Sequence, residues 1–251
     1  MIKSTALAAA TALAFAAPAF ATDVSKMTDE ERAAFRAEIR AYLLDNPEVI
    51  FEAVEVFRAR EAEAEAKGDA ELLANNQSEI FNDGVSYVGG NPDGDVTIVE
   101  FLDYRCGYCR RAHADMLQLM AADKNVRWVV KEYPILGDDS TTSAQMAIAT
   151  LQEYGPEAYA RLHDVLMEFK GPVNAQTVDQ IAKRAEIDPA PLKDRMASKE
   201  TAAHIDRMHA LGRTLNITGT PAFVINGSVL RGYLPLADMQ NIVAQERAKV
   251  N

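Results

Sequence analysis

Apolar residues recur at helical spacing from Met27 to about Phe81, and the pattern changes abruptly after Gly89-Gly90-Asn91-Pro92. Thr28 followed three residues later by Glu31 reads as a capping box, and Phe35, Ile39, Tyr42 and Leu43 then share one helix face. Asn46-Pro47 restarts the chain, with Asn expected as N-cap and Pro at the first helical position. Val49, Ile50, Ala53, Val54, Val56 and Phe57 form a second, broader stripe. Glu61 to Lys67 alternates Glu and Ala, which favours a helix but offers no core face. Leu72, Leu73, Ile80 and Phe81 resume the apolar pattern before Asn82-Asp83-Gly84 breaks it. Two helices and a polar stalk cannot bury two stripes alone. The region either caps the following domain or oligomerises through residues 28–81, and both readings stay open at this point.

Beyond Pro92, Asp95 to Asp103 reads as a buried strand rich in β-branched residues. Gly107 to Ala122 follows as a helix and Val126 to Tyr133 as a second strand. Three to five helical segments are expected between Ser140 and Asn216, one of them started by Asp188-Pro189. Ala222 to Ile225 and Ser228 to Arg231 flank Asn226-Gly227, a strong hairpin signal, and a helix begins near Leu236. The expected order is β-α-β, a helical block, then β-β-α. That is an α/β chain with a thioredoxin-like fold and a helical insertion at about 140–216, preceded by an all-helical extension. The expected divisions are 1–21 as a leader, 22–84 as the helical region and 85–251 as the thioredoxin-like domain.

The leader rests on composition. Lys3 precedes an apolar run from Ala6 to Ala17 interrupted only by Thr11, and Ala19-Phe20-Ala21 fits a small-x-small cleavage site. The run is too short for a membrane helix, and no other segment approaches the roughly 20 apolar residues one needs. Cleavage near Ala21 would leave about 230 residues for export, which in a bacterium means the periplasm; retention as a signal anchor is the alternative reading. Losing Lys3 would take the formal net charge from −11 to −12. An acidic chain without basic runs argues against nucleic acid as a partner.

The chain contains only two cysteines, in Cys106-Gly107-Tyr108-Cys109, at the junction of the first expected strand and its helix. A structural disulfide normally closes a longer loop, because stabilisation grows with loop length. At a helix start the first sulfur faces free N–H groups and the positive end of the dipole, which favours a thiolate. Cys106 is the expected exposed nucleophile and Cys109 the resolving thiol. A structural zinc site would want two further ligands of the same kind, and no second cysteine pair exists. Glu100 shares a strand face with Val96, Ile98 and Leu102. A lone carboxylate there is either a solvent-facing group on an edge strand or a buried acid with a raised pKa, six residues before Cys106. In the second case it can exchange a proton with Cys109. Thr220-Pro221 precedes the Ala222 strand. A generic proline there is expected trans; a cis bond would turn the Thr220 backbone toward the cysteines, where an extended substrate can pair with it.

With Glu100, the C-x-x-C after VEFLDYR, the helical insertion and Gly219 to Phe223 (GTPAF), residues 95–251 resemble the DsbA-like thiol–disulfide oxidoreductases. Together with Leu43 to Ile50 (LLDNPEVI), the chain is most similar to the ScsC-like, suppressor-of-copper-sensitivity branch. The resemblance implies catalytic roles for Cys106, Cys109 and Glu100 and a cis Pro221. It also implies a substrate groove shaped by Thr220, and a membrane redox partner. The dipeptide departs from the Pro-His of the strong oxidases: Gly107-Tyr108 with Thr220 before the proline resembles the oligomeric periplasmic disulfide isomerases. The expected function is therefore isomerase or reductase toward misoxidised or unfolded exported proteins, with substrate contacts at Gly107, Tyr108, Thr220 and Pro221 and no cofactor. A dithiol oxidase is the alternative. A copper-binding role is another, since Cys106, Cys109, His113 and Met116 fall at successive helical spacings and thiolate with thioether suits Cu(I). The plain reading makes His113 and Met116 ordinary helix residues, and no metal is assigned. His163, His204 and His209 have no recognisable ligand spacing, and Trp128 reads as core.

Overall fold

The computed structural model describes residues 24–225 and 227–250. The expected leader and its cleavage near Ala21 lie outside these residues, as does Asn226 of the hairpin turn. The chain divides into two compact units, 1–59 and 60–251.

The described part of the first unit is helical, with a short 3-10 turn at Val24–Lys26, α1 (Asp29–Asp45) and the start of α2 (Glu48–Asn75). The Thr28 hydroxyl accepts from the Glu31 N–H at 3.2 Å and the Glu31 carboxylate from the Thr28 N–H at 2.8 Å, completing the capping box. Asn46 corrects the sequence reading. It closes α1 rather than opening α2: its backbone N–H and its side-chain amide both donate to the Tyr42 carbonyl, at 2.8 and 2.9 Å. The reason is local, since the last carbonyls of α1 lack intrahelical partners and the Asn side chain reaches one. No residue of α1 is buried, and Phe35, Tyr42, Phe51 and Phe57 are exposed.

The second unit is built on a five-stranded sheet in the order β1-β3-β2-β4-β5. The strands are β1 (Tyr87–Gly90), β2 (Val96–Leu102), β3 (Val126–Glu132), β4 (Ala222–Ile225) and β5 (Ser228–Arg231). β2 and β3 run parallel, joined by α4 (Gly107–Ala122), and the other pairings are antiparallel. Central β2 is covered on both faces, which is why its sequence is a near-continuous apolar run. Glu100 lies opposite Val130 on one side and Phe223 on the other, so its position is interior and not an edge.

Four helices form the insertion between β3 and β4: α5 (Asp138–Glu168), α6 (Val178–Arg184), α7 (Pro189–Met196) and α8 (Lys199–Thr214). Gly155, at φ 81°, breaks α5 just before Pro156, a conformation that a side chain would strain. Asp188 caps α7 as expected, accepting from the Ala190 N–H at 3.0 Å. Ile98, Leu102, Trp128 and Val130 pack on one sheet face with residues of α4, α5 and the last helix, α9 (Leu236–Val250). Val99, Phe101 and Val129 pack on the other with Leu73, with Ile80 of α3 (Gln77–Phe81) and with Leu211 of α8. The topology is a thioredoxin-like fold with a helical insertion. β1 was not anticipated from sequence: it has four residues, two of them glycine, and is a strand only because β3 supplies its partner.

Candidate active site

β2 ends at Leu102, and four residues later Cys106 caps α4 with φ −77° and ψ 119°, leaving the first N–H groups of the helix free to face its sulfur. Both cysteines are free thiols. Cys106 is more enclosed than expected, at 9% exposure, but Cys109 is closed off completely. The Cys106 thiol donates to the Thr220 carbonyl at 3.2 Å, across 114 residues of chain. The hydrogen bond from Cys109, the Cys109 and Tyr108 backbone N–H groups and a Thr220 contact outweigh partial burial and bring the Cys106 thiol down to about 5. Cys109 goes the other way. Burial, the hydrogen bond to Cys106 and the Glu100 charge push its thiol far above the usual range, despite an N–H from Asp103 at 3.5 Å. The pair is thus polarised into one group ready to ionise and one holding its proton.

Glu100 is fully buried. Its Oε2 accepts from the Trp128 indole N–H at 3.0 Å, while Oε1 has no partner. Burial pushes its carboxyl up to about 8, against the Trp128 hydrogen bond and with the charge of Glu132. Trp128, read from sequence as core alone, is therefore the group that orients this acid. No local signal announces the pair, because the two residues meet only through the β2–β3 register.

The loop between β2 and α4 is held by residues the sequence did not single out. Asp103 accepts from the Arg105 N–H at 2.8 Å, the Ser140 hydroxyl at 2.7 Å and the Ile135 and Leu136 N–H groups at 2.8 and 3.0 Å. Arg110 donates to the Tyr104 and Phe169 carbonyls, and Arg105 to the Gly171 carbonyl. Around the pair, Gly107 and Tyr108 are exposed, Thr220 is half-buried and Pro221 is buried after a cis peptide bond. Tyr233 lies 6.2 Å from Tyr108, centroid to centroid, with its hydroxyl on Asp115 and Arg111 over its ring. Together these leave a surface that is partly aromatic beside the one reachable sulfur.

His113 and Met116 do not join the cysteines in a ligand set. Met116 is fully buried in the core, and the His113 Nε2 lies 3.1 Å from Asp164. Among the described residues, no group of three or more His, Cys, Asp or Glu side chains is placed to hold a metal ion. His163 bonds Tyr104, His209 bonds the Pro134 carbonyl, and His204 is buried with both ring nitrogens unpartnered. Among the described residues no helix is long and apolar enough to cross a membrane.

A family model described as thioredoxin matches residues 82–245. A second, described as the N-terminal domain of the copper resistance protein ScsC, matches residues 31–64. A thioredoxin-like oxidoreductase from Silicibacter pomeroyi is 40% identical, with a TM-score of 0.65, over 69% of this chain and 98% of that one. A linker-deletion variant of ScsC from Proteus mirabilis is 25% identical, with a TM-score of 0.67, over 89% and 98% of the two chains. Disulfide bond formation protein D of Bacillus subtilis is 24% identical over 68% of this chain and 85% of that protein. The chain spans 22% of the length of the first curated relatives it matches, Na+/H+ antiporters of two Salinispora species. The chain belongs to the thioredoxin family, and its matches outside the antiporters are similar to it as thiol–disulfide oxidoreductases of the DsbA-like and ScsC-like kind.

Proposed function

We propose that the protein is an exported thiol–disulfide isomerase or reductase acting on misoxidised proteins. The observation that carries this is the polarised pair: Cys106 at a helix start with its thiol down to about 5, beside a Cys109 that is fully buried and pushed up. The Cys106 thiolate attacks a substrate disulfide, one substrate sulfur leaves as a thiolate, and a mixed disulfide forms. While the substrate backbone pairs with Thr220, another substrate thiolate attacks the linked substrate sulfur, releasing Cys106 with the substrate isomerised. If none does, Cys109 passes its proton to the Glu100 carboxylate and attacks Cys106, and the substrate departs reduced. A membrane redox partner then returns the Cys106–Cys109 disulfide to the dithiol. The leader-like first 21 residues support export to the periplasm.

Isomerisation over oxidation is favoured by Gly107-Tyr108, which place no cation between the cysteines, and by Thr220 before the proline. The N-terminal region, 22–84, is proposed as the oligomerisation region of a chain whose catalytic domain is 85–251. Its exposed Phe35, Tyr42, Phe51 and Phe57 and the ScsC description matched by 31–64 support this. That description also favours a second reading, copper handling, for which the two sulfurs would be the donors.

The test is recovery of activity from scrambled ribonuclease by the full chain and by C106S. Recovery that depends on Cys106 is expected. Oxidation of reduced ribonuclease without recovery of scrambled enzyme would point to the oxidase, and stoichiometric Cu(I) binding without exchange to the copper reading.

A further inference from the structure

On the same sheet face as Glu100 lies a second buried acid that the exchange mechanism does not use. Glu132 ends β3, is 3% exposed, and lies opposite Leu102, one pleat beyond the Glu100–Val130 pairing. Its Oε1 accepts from the Tyr104 hydroxyl at 2.8 Å and from the Tyr159 hydroxyl at 2.5 Å; Oε2 has no partner. The Tyr104 oxygen also lies 2.8 Å from the Nδ1 of His163, whose Nε2 is buried and unpartnered.

A tyrosine hydroxyl carries one proton, and here it has two acceptors within reach. Two arrangements of hydrogens fit the same heavy atoms. In one, Glu132 is ionised, Tyr104 donates to it, and His163 carries its proton on Nδ1 and donates to Tyr104. In the other, Glu132 holds a proton on Oε1 and donates it to Tyr104, which donates in turn to Nδ1, leaving the His163 proton on Nε2. Passing from the second to the first moves one proton along each bond of the chain and releases the Nε2 proton on the side of His113. The His113 Nδ1 is also buried and unpartnered, and its Nε2 lies 3.1 Å from the exposed carboxylate of Asp164. No heavy atom moves.

No cation holds Glu132 in either state. Glu100 faces it from β2, and Asp103 and Tyr104 from the loop that follows. Tyr159 and His163 face it from α5, and His113 of α4 stands against His163 at 4.9 Å between ring centroids. The neighbouring Lys131 is committed elsewhere, donating to Asp83 and the Glu79 carbonyl. Burial carries Glu132 to about 8, against the two tyrosine hydrogen bonds and with Asp103, while burial and His113 keep His163 well below its ordinary value and neutral. Two carboxyls so placed titrate as a coupled pair, and the charge of one opposes ionisation of the other.

We propose that Glu132, Tyr104 and His163 form a reversible proton relay, with Glu132 as a positioning residue whose charge sets the pH at which Glu100 can accept the Cys109 proton. The inference rests on the exchange mechanism proposed above only for its consequence, since the relay itself is a property of the resting protein.

Two measurements test it. In the first, the reduced full chain is mixed with 5,5′-dithiobis(2-nitrobenzoate) in stopped flow. Cys106 releases one thionitrobenzoate and Cys109 releases the second as it displaces the label. In E132Q the amide keeps an acceptor for both tyrosines but no charge. Its second phase is expected to turn on at lower pH by at least about half a unit, with the plateau rate within about twofold of wild type. An unchanged midpoint in folded E132Q overturns the proposal. The second measurement keeps it falsifiable if E132Q does not fold: 15N chemical shifts of His163 in the wild type between about pH 5 and 9. A shift of the proton from Nε2 toward Nδ1 with rising pH, lost in Y104F, is expected; a single tautomer throughout overturns the relay. If the second phase is absent from the wild type, the mechanism for Cys109 fails, and the 15N result still decides the relay.

Discussion

At the residue scale, the chemistry depends on environments that push neighbouring groups apart. Cys106, brought down to about 5, should react with iodoacetamide with a midpoint near pH 5, while Cys109 stays unmodified in the folded protein. Mass mapping of the alkylated chain over pH 3–9 checks both, and C109S should trap mixed disulfides that wild type resolves. Glu100 carries the opposite sign. Raised from 4.5 to about 8, it is a carboxylate able to take a proton only as pH climbs through about 8, so resolution by Cys109 should speed up over that range. E100Q should slow that step by ~10²-fold and flatten the profile. Linkage runs in the same direction: an acid raised on folding contributes stability below 4.5 that is lost as pH rises toward 8. E100Q should therefore gain stability relative to wild type across that window, measured by urea unfolding at several pH values. Most of this site is legible in the residues, because C-x-x-C at a strand-to-helix junction and a carboxylate on an apolar strand face are local patterns. Their partners are not. Trp128 meets Glu100 across 28 residues and Thr220 meets Cys106 across 114, so no window of sequence contains either pair.

At the scale of elements, each helix or strand is anchored by groups outside it. Lys131 leaves β3 on the face opposite Glu132 and is fully buried, donating at 2.7 Å to Asp83 and at 2.8 Å to the Glu79 carbonyl. Against the cost of burial, the Lys131 charge and the Lys131 and Ser86 hydrogen bonds carry Asp83 down to about 2. The pair's contribution is present above 3.8 and lost as pH falls toward 2. D83N leaves a buried ammonium without its counter-charge and should cost about 3 kcal/mol, read as a lower urea midpoint at pH 7. Sequence periodicity found α4, the insertion helices and the terminal hairpin within a few residues, because caps, turns and alternation act locally. It missed β1 and misassigned Asn46 for different reasons. The four-residue β1 takes its role from β3, which it meets across the sheet. Asn46 instead sits between two helices where the same local sequence can cap either one, and the open Tyr42 carbonyl took it.

For the whole molecule, the question is assembly. Phe35 and Ile39 of α1 and Ile50, Val54 and Phe57 of α2 expose apolar side chains at helical spacing, with Phe51 exposed beside them, and the proposed oligomerisation would cover them. Replacing Phe51 and Phe57 together by Glu should lower the mass seen by light scattering to that of a monomer and reduce recovery of scrambled ribonuclease, leaving alkylation of Cys106 unchanged. An unchanged mass would overturn the proposed oligomerisation through the N-terminal helices. The second unit has its own long-range ties: Arg231 of β5 forks onto Asp69 with two 2.9 Å hydrogen bonds, and Arg247 of α9 reaches Asp95 and Asp123. A shortened chain meant to isolate this unit should begin before Asp69, since a start near Gly84 would remove Asp69, Leu73, Ile80 and Asp83 from its packing.

What the sequence determined by itself is whatever a few consecutive residues can decide. It set the elements other than β1, the two-residue alternation that turns Glu100 toward the face beneath α4, and the Cys106–Cys109 pair opening that helix. The tertiary structure alone decided the charge states and the partners: Glu100 and Glu132 raised together on one sheet face, Cys109 sealed, Cys106 against Thr220, Asp103 tying three segments. Protonation depends on desolvation and on charges brought near from distant parts of the chain, and both exist only once the sheet and its covering helices have closed around the site.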